Sequence, residues 1–177
     1  MSRSVYDNSR SAFTLVEMLV VVLIIGIAVT VIIPMIGNCN DFKVATAARQ
    51  MVGALLYAQT KAISTQQRHR VVFDIEGNNY KIEVQNPDGS FSVIPHPTDK
   101  SPYQVNFNEI SELKSVTIDD SVDFGGESTV WFDSLGVPYS GDAVAVSLTA
   151  QGDVTVSAGS ESQTISVAPV TGRVSIN

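Results

Sequence analysis

Between Met18 and Asn40 the chain carries no charged residue, and the one acid bordering this run, Glu17, is the fifth residue of an apolar stretch that opens at Phe13. As a helix, residues 13–35 extend roughly 34 Å at about 1.5 Å per residue, enough to cross a hydrocarbon core of about 30 Å. A carboxylate held in hydrocarbon costs several kcal/mol unless it is paired or functional, so Glu17 is expected to have a partner. Left unpaired, it could only lie near the headgroups and snorkel. Ahead of Phe13, residues 1–12 hold Arg3 and Arg10 against Asp7. That balance keeps the front segment cytoplasmic and sends the rest outward.

A polar basic leader, a junction after the small Ala12, an aromatic Phe13 and Glu17 at the fifth position together resemble the leader of type IV pilins and pseudopilins. The resemblance implies that a prepilin peptidase cuts between Ala12 and Phe13 and that the new Phe13 amine is N-methylated. It also implies that Glu17 meets a neighbouring subunit's free amine inside a filament. Such a pair in low dielectric is strong only when well made, so it selects register as well as affinity. The family carries Gly before the junction, and Ala12 departs from it by one methyl group. Gly26 and Pro34 match a glycine and a proline of pilin helices, between which the helix can lose order in assembled filaments.

Residues 1–12 hold two of the 11 basic and one of the 18 acidic side chains, so the remainder is acidic by eight. That argues against a general nucleic-acid binder, whose affinity depends on Lys and Arg neutralising phosphates. Cys39 is the single cysteine and excludes a disulfide within the chain. Asn38 stands where a lipoprotein signal has a small residue, so Cys39 is expected to be a partly buried residue near the membrane interface.

Val44, Ala48, Met51, Leu55, Ala58 and Ala62 recur at helical spacing, with Lys43, Thr46, Gln50, Gly53, Tyr57, Thr60 and Ser64 on the opposite face. One rod over 13–65 is expected, kinked or locally melted at Pro34 and Gly37. From Val71 the period becomes two. A hairpin turns at 76–79, a second turn at 86–89 leads to a strand with Phe91 and Val93, and further strands are expected at 104–107, 115–118, 129–132, 143–149, 154–158, 163–167 and 173–176. Many short strands indicate a two-sheet head against which the amphipathic helix packs. The organisation is leader 1–12, transmembrane or filament-core helix 13–36, amphipathic helix 37–67 and β-rich head 68–177.

Lys61, Ala62 and Ile63, the strand 70–75, the run from Trp131 through Phe132 and Gly136 to Pro138, and Thr171, Gly172, Arg173 and Val174 resemble the GspH/FimT family of minor pseudopilins and pilins. The bland reading of Phe132 and Gly136 is a core aromatic and a tight turn, and that of Arg173 a surface charge on the last strand. The resemblance implies an α+β, type IV pilin-like fold: a long N-terminal transmembrane helix packed on a C-terminal antiparallel β-sandwich. FimT-like DNA-uptake pilins have a second arginine after the terminal Gly-Arg, where this chain has Val174 and Ser175. The implied role is a minor pseudopilin of a type II secretion pseudopilus, resident in the inner membrane with its head periplasmic. Its implied partners are the prepilin peptidase, other pseudopilins, the inner-membrane secretion platform and secreted cargo. The alternatives are a FimT-like minor pilin and a membrane-anchored exported enzyme.

Enzymatic signals are absent from the sequence: two histidines, no G-x-S-x-G and no H-E-x-x-H. His69, between Arg68 and Arg70, is expected to meet the negative end of the helix dipole, and His96, between prolines, to lie in an exposed loop. Asp119, Asp120 and Asp123, and separately Asn86, Asp88 and Ser90, offer oxygen ligands, but neither set has a closing bidentate Glu. Ordinary turns account for both, and no metal or other cofactor is expected.

Overall fold

The computed structural model describes residues 13–36, 39–141 and 146–177. It divides the chain into two units, Met1–Cys39 and Asn40–Asn177. In the first, helix α1 (Leu15–Ile36) is built from Leu, Val, Ile and Met with no polar face. Valine and isoleucine lose side-chain freedom in a helix, so such a run depends on surroundings that leave the backbone no partner but itself. The apolar side chains described on α1 are exposed, Leu15 and Leu23 among them. Those side chains are described as far as Thr30, about 24 Å along the axis. Among the described residues no helix is long and apolar enough to cross a membrane. The helix runs through Pro34 and ends at Ile36, two residues beyond the expected interruption. Gly37 lies outside the described residues. Helix α1 ends at Ile36 and α2 begins at Asn40, and Cys39 is exposed rather than partly buried.

In the second unit, helix α2 (Asn40–Thr65) buries Val44, Ala47, Ala48, Met51, Ala54, Leu55, Ala58 and Ala62. This is the expected stripe widened by Ala47 and Ala54, and its small side chains let the backbone lie close to what it covers. On the other face Gly53, Thr60 and Ser64 are exposed. Lys43 and Tyr57 fold back instead: the Lys43 ammonium donates to Ser115 Oγ at 3.2 Å, and Tyr57 stacks on Tyr103 at 5.6 Å. Past the helix end Gln66 takes φ 57° and its amide donates to Ile63 O at 2.7 Å, capping a terminal carbonyl.

Eleven strands follow among the described residues. They are β1 (His69–Asp74), β2 (Asn79–Gln85), β3 (Phe91–Val93), β4 (Gln104–Asn106), β5 (Thr117–Ile118), β6 (Thr129–Phe132), β7 (Pro138–Ser140), β8 (Val146–Ser147), β9 (Gly152–Ala158), β10 (Glu161–Val167) and β11 (Val174–Ile176). One antiparallel sheet runs β3-β2-β1-β6-β7-β8, with β4 also on β2, and the other β11-β10-β9-β5. In the first sheet Val71 lies opposite Ile82 and Val130, so one face is uniformly apolar. Helix α2 touches β1 and β6 of this sheet and β9, β10 and β11 of the other. The core is the space the three share, filled by Met51, Leu55, Ile82, Phe132 and Ile165.

The differences from expectation are local. Asn78 closes the first hairpin at φ 51° and is buried, its amide held by Asn108 Oδ1, Val116 O and the Ile118 N–H. Strand 115–118 shrinks to Thr117–Ile118, Phe107 opens a 3-10 turn (Phe107–Glu109), and Arg173 precedes β11. Of the strand expected at 143–149, Val146–Ser147 forms and 148–149 do not, and 142–145 lie outside the described residues. Strand β7 was not expected because Pro138, opposite Phe132, reads as a turn residue, yet proline is tolerated at the first position of a strand.

Leu55 is fully buried and its neighbour Leu56 is 43% exposed. Leu55→Ala is expected to lower head stability by about 2–5 kcal/mol and Leu56→Ala by no more than about 0.5 kcal/mol, read from urea midpoints. Equal losses would mean that the buried stripe is wrongly placed.

Candidate functional site

At the front of α1, Thr14 occupies the N-cap position. Its hydroxyl accepts from the Glu17 N–H at 3.2 Å and its carbonyl from the Met18 N–H at 3.2 Å. Thr14 and Glu17 have the spacing of a capping box, so the residues that resemble a processing signal also start the helix. Glu17 is exposed in the first turn, where the helix dipole favours a negative charge. Among the described residues no ion pair involves it. Phe13 is 75% exposed. Ala12 lies outside the described residues, and a side chain added at Gly26 would meet nothing within 4 Å.

In the head, three of the four expected motif residues converge. Phe132 is buried at the end of β6, Gly136 has φ +80° in the following turn and Gly172 has φ +63° before β11. A Cβ on Gly172 would stand 2.5 Å from Gln59 Nε2, 2.7 Å from Gly136 O and 3.4 Å from Phe132 Cε1. One on Gly136 would stand 2.9 Å from Ile63 Cδ1. Gly172 requires glycine for conformation and for space together, whereas Gly136 requires it for its positive φ, the end of the Ile63 side chain being free to shift. Arg173, which follows Gly172, is exposed, its backbone N–H near Thr171 Oγ1 at 3.4 Å.

Two residues that complete this arrangement were not singled out from the sequence. Gln59 on α2 donates from Nε2 to Gly136 O at 2.9 Å and to Thr171 O at 3.3 Å, tying the β6–β7 turn and the β10–β11 loop to the helix. Asp133 organises the turn: its Oδ1 accepts from the N–H of Leu135 and of Val137, each at 2.9 Å. An Asp three residues before a glycine is a turn signal, and an amide flanking a buried helical stripe is a candidate for reaching loop carbonyls.

On the outer face of the first sheet a charged cluster is nearly closed from water. Arg70 Nε lies 2.7 Å from Glu83 Oε2 and Lys81 Nζ 2.8 Å from Glu83 Oε1. The Arg70 guanidinium also covers the Phe91 ring at 3.6 Å and faces Trp131 at 5.2 Å, while the Trp131 indole N–H donates to Gly141 O. Burial works to raise the Glu83 carboxyl, but the hydrogen bonds and charges of Lys81 and Arg70 outweigh it and hold it below its ordinary range.

His69 corrects its sequence reading. It lies four residues past the helix end, on β1, opposite Val84 and Phe132 and 3% exposed. Burial lowers its pKa, as does the Lys61 charge, against the raising effect of the Gln67 carbonyl at 3.0 Å from Nδ1. The strand period places it inward, so it cannot serve as a cation on the helix dipole. His96 is half-buried, its ring 4.7 Å from Tyr103 and its Nδ1 3.4 Å from Asp99.

The oxygen-rich loops are occupied by turn hydrogen bonds. Asp119 accepts from Ser157 Oγ, Asp123 from the Gly126 N–H at 2.7 Å, and Asp88 from the Ser90 N–H at 2.9 Å. Among the described residues no group of three or more His, Cys, Asp or Glu could hold a metal ion. An open cavity of about 630 Å³ lies between the first hairpin turn and β5, lined by Ile75, Glu76, Asn78, Ile118, Asp119 and Asp120.

Two stability predictions follow from this geometry. Gly172→Ala combines strain at positive φ with the contacts to Gln59 and Gly136 and is expected to cost about 2–3 kcal/mol, more than Gly89→Ala. Gly89 has φ +85° but open space, so equal thermal shifts for the two would sink the packing argument. His69, held neutral, adds a penalty once pH falls below its ordinary value of 6.5, because the unfolded chain then takes up the proton more readily. The stability Glu83 contributes is present above the ordinary carboxylate range and disappears as pH falls through its lowered value. His69→Gln is therefore expected to flatten the loss of Tm between pH 7 and 5 while leaving the loss below pH 4; parallel curves would overturn the assignment.

Residues 7–33 match the family model of the prokaryotic N-terminal methylation motif. No curated protein sequence matches the chain. Among solved structures, the minor pseudopilin EpsH from the type 2 secretion system of Vibrio cholerae is similar at 13% identity and a TM-score of 0.55, covering 76% of this chain and 96% of that one. A second structure of the same pseudopilin gives 13% and 0.53, over 77% of this chain and 94% of that one. The type IV minor pilin FimU of Pseudomonas aeruginosa is similar at 16% identity and a TM-score of 0.47, over 75% and 91%. The likeness to the two pseudopilin structures shows a common fold.

Proposed function

We propose that this chain, type IV pilin-like in fold and bearing an N-terminal methylation motif, is a minor pseudopilin of the GspH/FimT type that serves a type II secretion pseudopilus. The observation that carries the reading is the joining of the methylation motif at 7–33 to a head with the fold of EpsH. Residues 1–12 would be removed by a prepilin peptidase, leaving Phe13 as a methylated N-terminus. The apolar α1, with its exposed Leu, Val and Ile side chains, would lie first in the inner membrane and then in the filament core, with the head in the periplasm. Glu17, exposed and unpaired by any described residue, would meet the amine of an adjacent pilin-type subunit.

The same features support a structural rather than an enzymatic role. His69 is enclosed in the sheet, His96 leans on Tyr103, and the carboxylates of the turns are engaged in hydrogen bonds. The exposed Arg173 has Val174 and Ser175 after it instead of a second cation, which favours the secretion branch over DNA uptake. A gel shift of unit Asn40–Asn177 with duplex DNA is expected to show no salt-sensitive binding in the micromolar range; such binding would favour the DNA-uptake branch.

Co-expression with a prepilin peptidase is expected to yield a chain beginning at N-methylated Phe13 by mass spectrometry, with Ala12→Gly cut faster. Glu17→Val is expected to be cut normally but to reduce recovery in sheared filaments at least tenfold. A chain that keeps residues 1–12 in the presence of active peptidase would refute the reading.

A further inference from the structure

Tyr80 is enclosed in the head, 1% exposed, yet its hydroxyl makes no hydrogen bond with any described residue. Its ring is held by Phe73 at 6.3 Å and, edge to face, by Phe107 at 5.9 Å, so the hydroxyl has a fixed position. Among the described residues no side-chain polar atom shut off from solvent lacks a partner. The sliver of Tyr80 that stays accessible therefore includes the hydroxyl, and what it faces is a cavity of about 240 Å³ that Tyr80 lines. A hydroxyl kept in this way costs stability unless something entering the cavity bonds to it.

The cavity reaches from α2 to β2 and β4. Tyr80 is its most enclosed residue, and Tyr103, 9% exposed, is the next. Val105, opposite Tyr80 in the sheet, and Ile110 line it half-buried, and His96 and the exposed Gln50 complete it towards solvent. Tyr103 is packed against Tyr57 at 5.6 Å and His96 at 4.7 Å, so this wall stands before any ligand arrives. Burial pushes the Tyr80 and Tyr103 hydroxyls above their ordinary range, and both remain protonated donors at neutral pH. No Asp, Glu, Lys or Arg lines the space.

These surroundings select an occupant. An ion would enter without an opposite charge among the lining residues, and a sugar ring would bury several hydroxyls against Val105 and Ile110 with too few partners. A plain hydrocarbon ring would leave the Tyr80 hydroxyl unpaired. An aromatic ring with one neutral oxygen meets both demands: the ring lies on the aliphatic and aromatic walls, and the oxygen shares a hydrogen bond with Tyr80. Size agrees, since a cavity of about 150 Å³ takes up benzene and sites for drug-sized ligands begin at about 300 Å³. We propose that this cavity binds a neutral phenolic ring, with Tyr80 as its hydrogen-bond partner and Tyr103, Val105 and Ile110 as its walls. Free small phenols and a tyrosine side chain offered by another protein share that chemistry. The site lies in the head and does not depend on the pseudopilus reading.

Methyl NMR of the full-length protein in detergent tests this, with p-cresol as the probe and toluene, which lacks the hydroxyl, as the control for uptake by the micelle. Saturable shifts of the Val105 and Ile110 methyl signals are expected with p-cresol, at an affinity at least about fivefold above that of toluene. Tyr80→Phe is expected to remove that preference without lowering Tm, because the hydroxyl it deletes bonds to nothing described in the fold. Val105→Phe fills the cavity and is expected to abolish the shifts at Ile110. A Gly-Tyr-Gly peptide that binds as tightly as p-cresol assigns the ring to a protein's tyrosine, and binding by p-cresol alone assigns it to a free phenol. Methyl signals that do not move, equal affinities for p-cresol and toluene, or a Tyr80→Phe variant that keeps the preference would overturn the site.

Discussion

Two sheets whose strands run in separate hydrogen-bonded ladders need a common wall, and in this head α2 supplies it. Its buried face is made chiefly of alanine, with Met51 and Leu55 as the large side chains at its centre. Alanine lets the helix axis lie close to both β1 and β10, so the larger residues that fill the core come from the sheets and their connections: Phe73, Tyr80 and Phe132 from strands, Phe107 from the 3-10 turn and Phe124 from the loop before β6. Interiors packed to crystal-like density transmit any change in that wall to both sheets. The Gln59 clasp extends the same logic past the apolar face, since it fixes by hydrogen bonds two loops that the small stripe cannot reach.

The outer face of the first sheet obeys a different rule. Trp131 and Phe91 would present a large apolar surface to water, and Arg70 lies across both as a flat cationic lid whose second function is to neutralise Glu83. Lys81 completes the set. A carboxylate with two cationic partners remains charged although nearly enclosed, which is the condition under which a buried charge does not destabilise a fold. The enclosed His69 solves the same problem in the opposite way, by remaining neutral.

How much of this could be read from residues depends on whether the signal was periodic or spatial. The stripe on α2 and the alternation in β1 and β2 are periodic, and the structure places them as expected. Ala47 and Ala54 joined the stripe because two sheets cover a wider arc of helix than one. The Phe132, Gly136 and Gly172 cluster was legible only as separate short motifs. That Gly172 lies against Gly136 follows from β11 closing one sheet where β6 turns in the other, and nothing local encodes that juxtaposition. His69 was misread because its charged neighbours suggested a helix terminus, whereas the strand had already begun and alternation decided which way the ring faces. Strand β7 was missed because proline's usual meaning as a breaker hid its tolerance at a strand's first position.

Helix α1 presents the reverse case, a segment whose sequence states more than its isolated fold can use. Its Val and Ile content works against helix formation in water, its described apolar side chains are exposed, and among the described residues nothing would meet a side chain at Gly26. Thr14 secures the first turn locally, but one cap contributes only about 1 kcal/mol, far less than 22 residues need to hold a helix in water. Stability for such a segment has to come from surroundings that remove its backbone groups from solvent. On the filament-subunit reading proposed above, a lipid bilayer and then a bundle of like helices would do so, and the bundle would also offer Glu17 a cation.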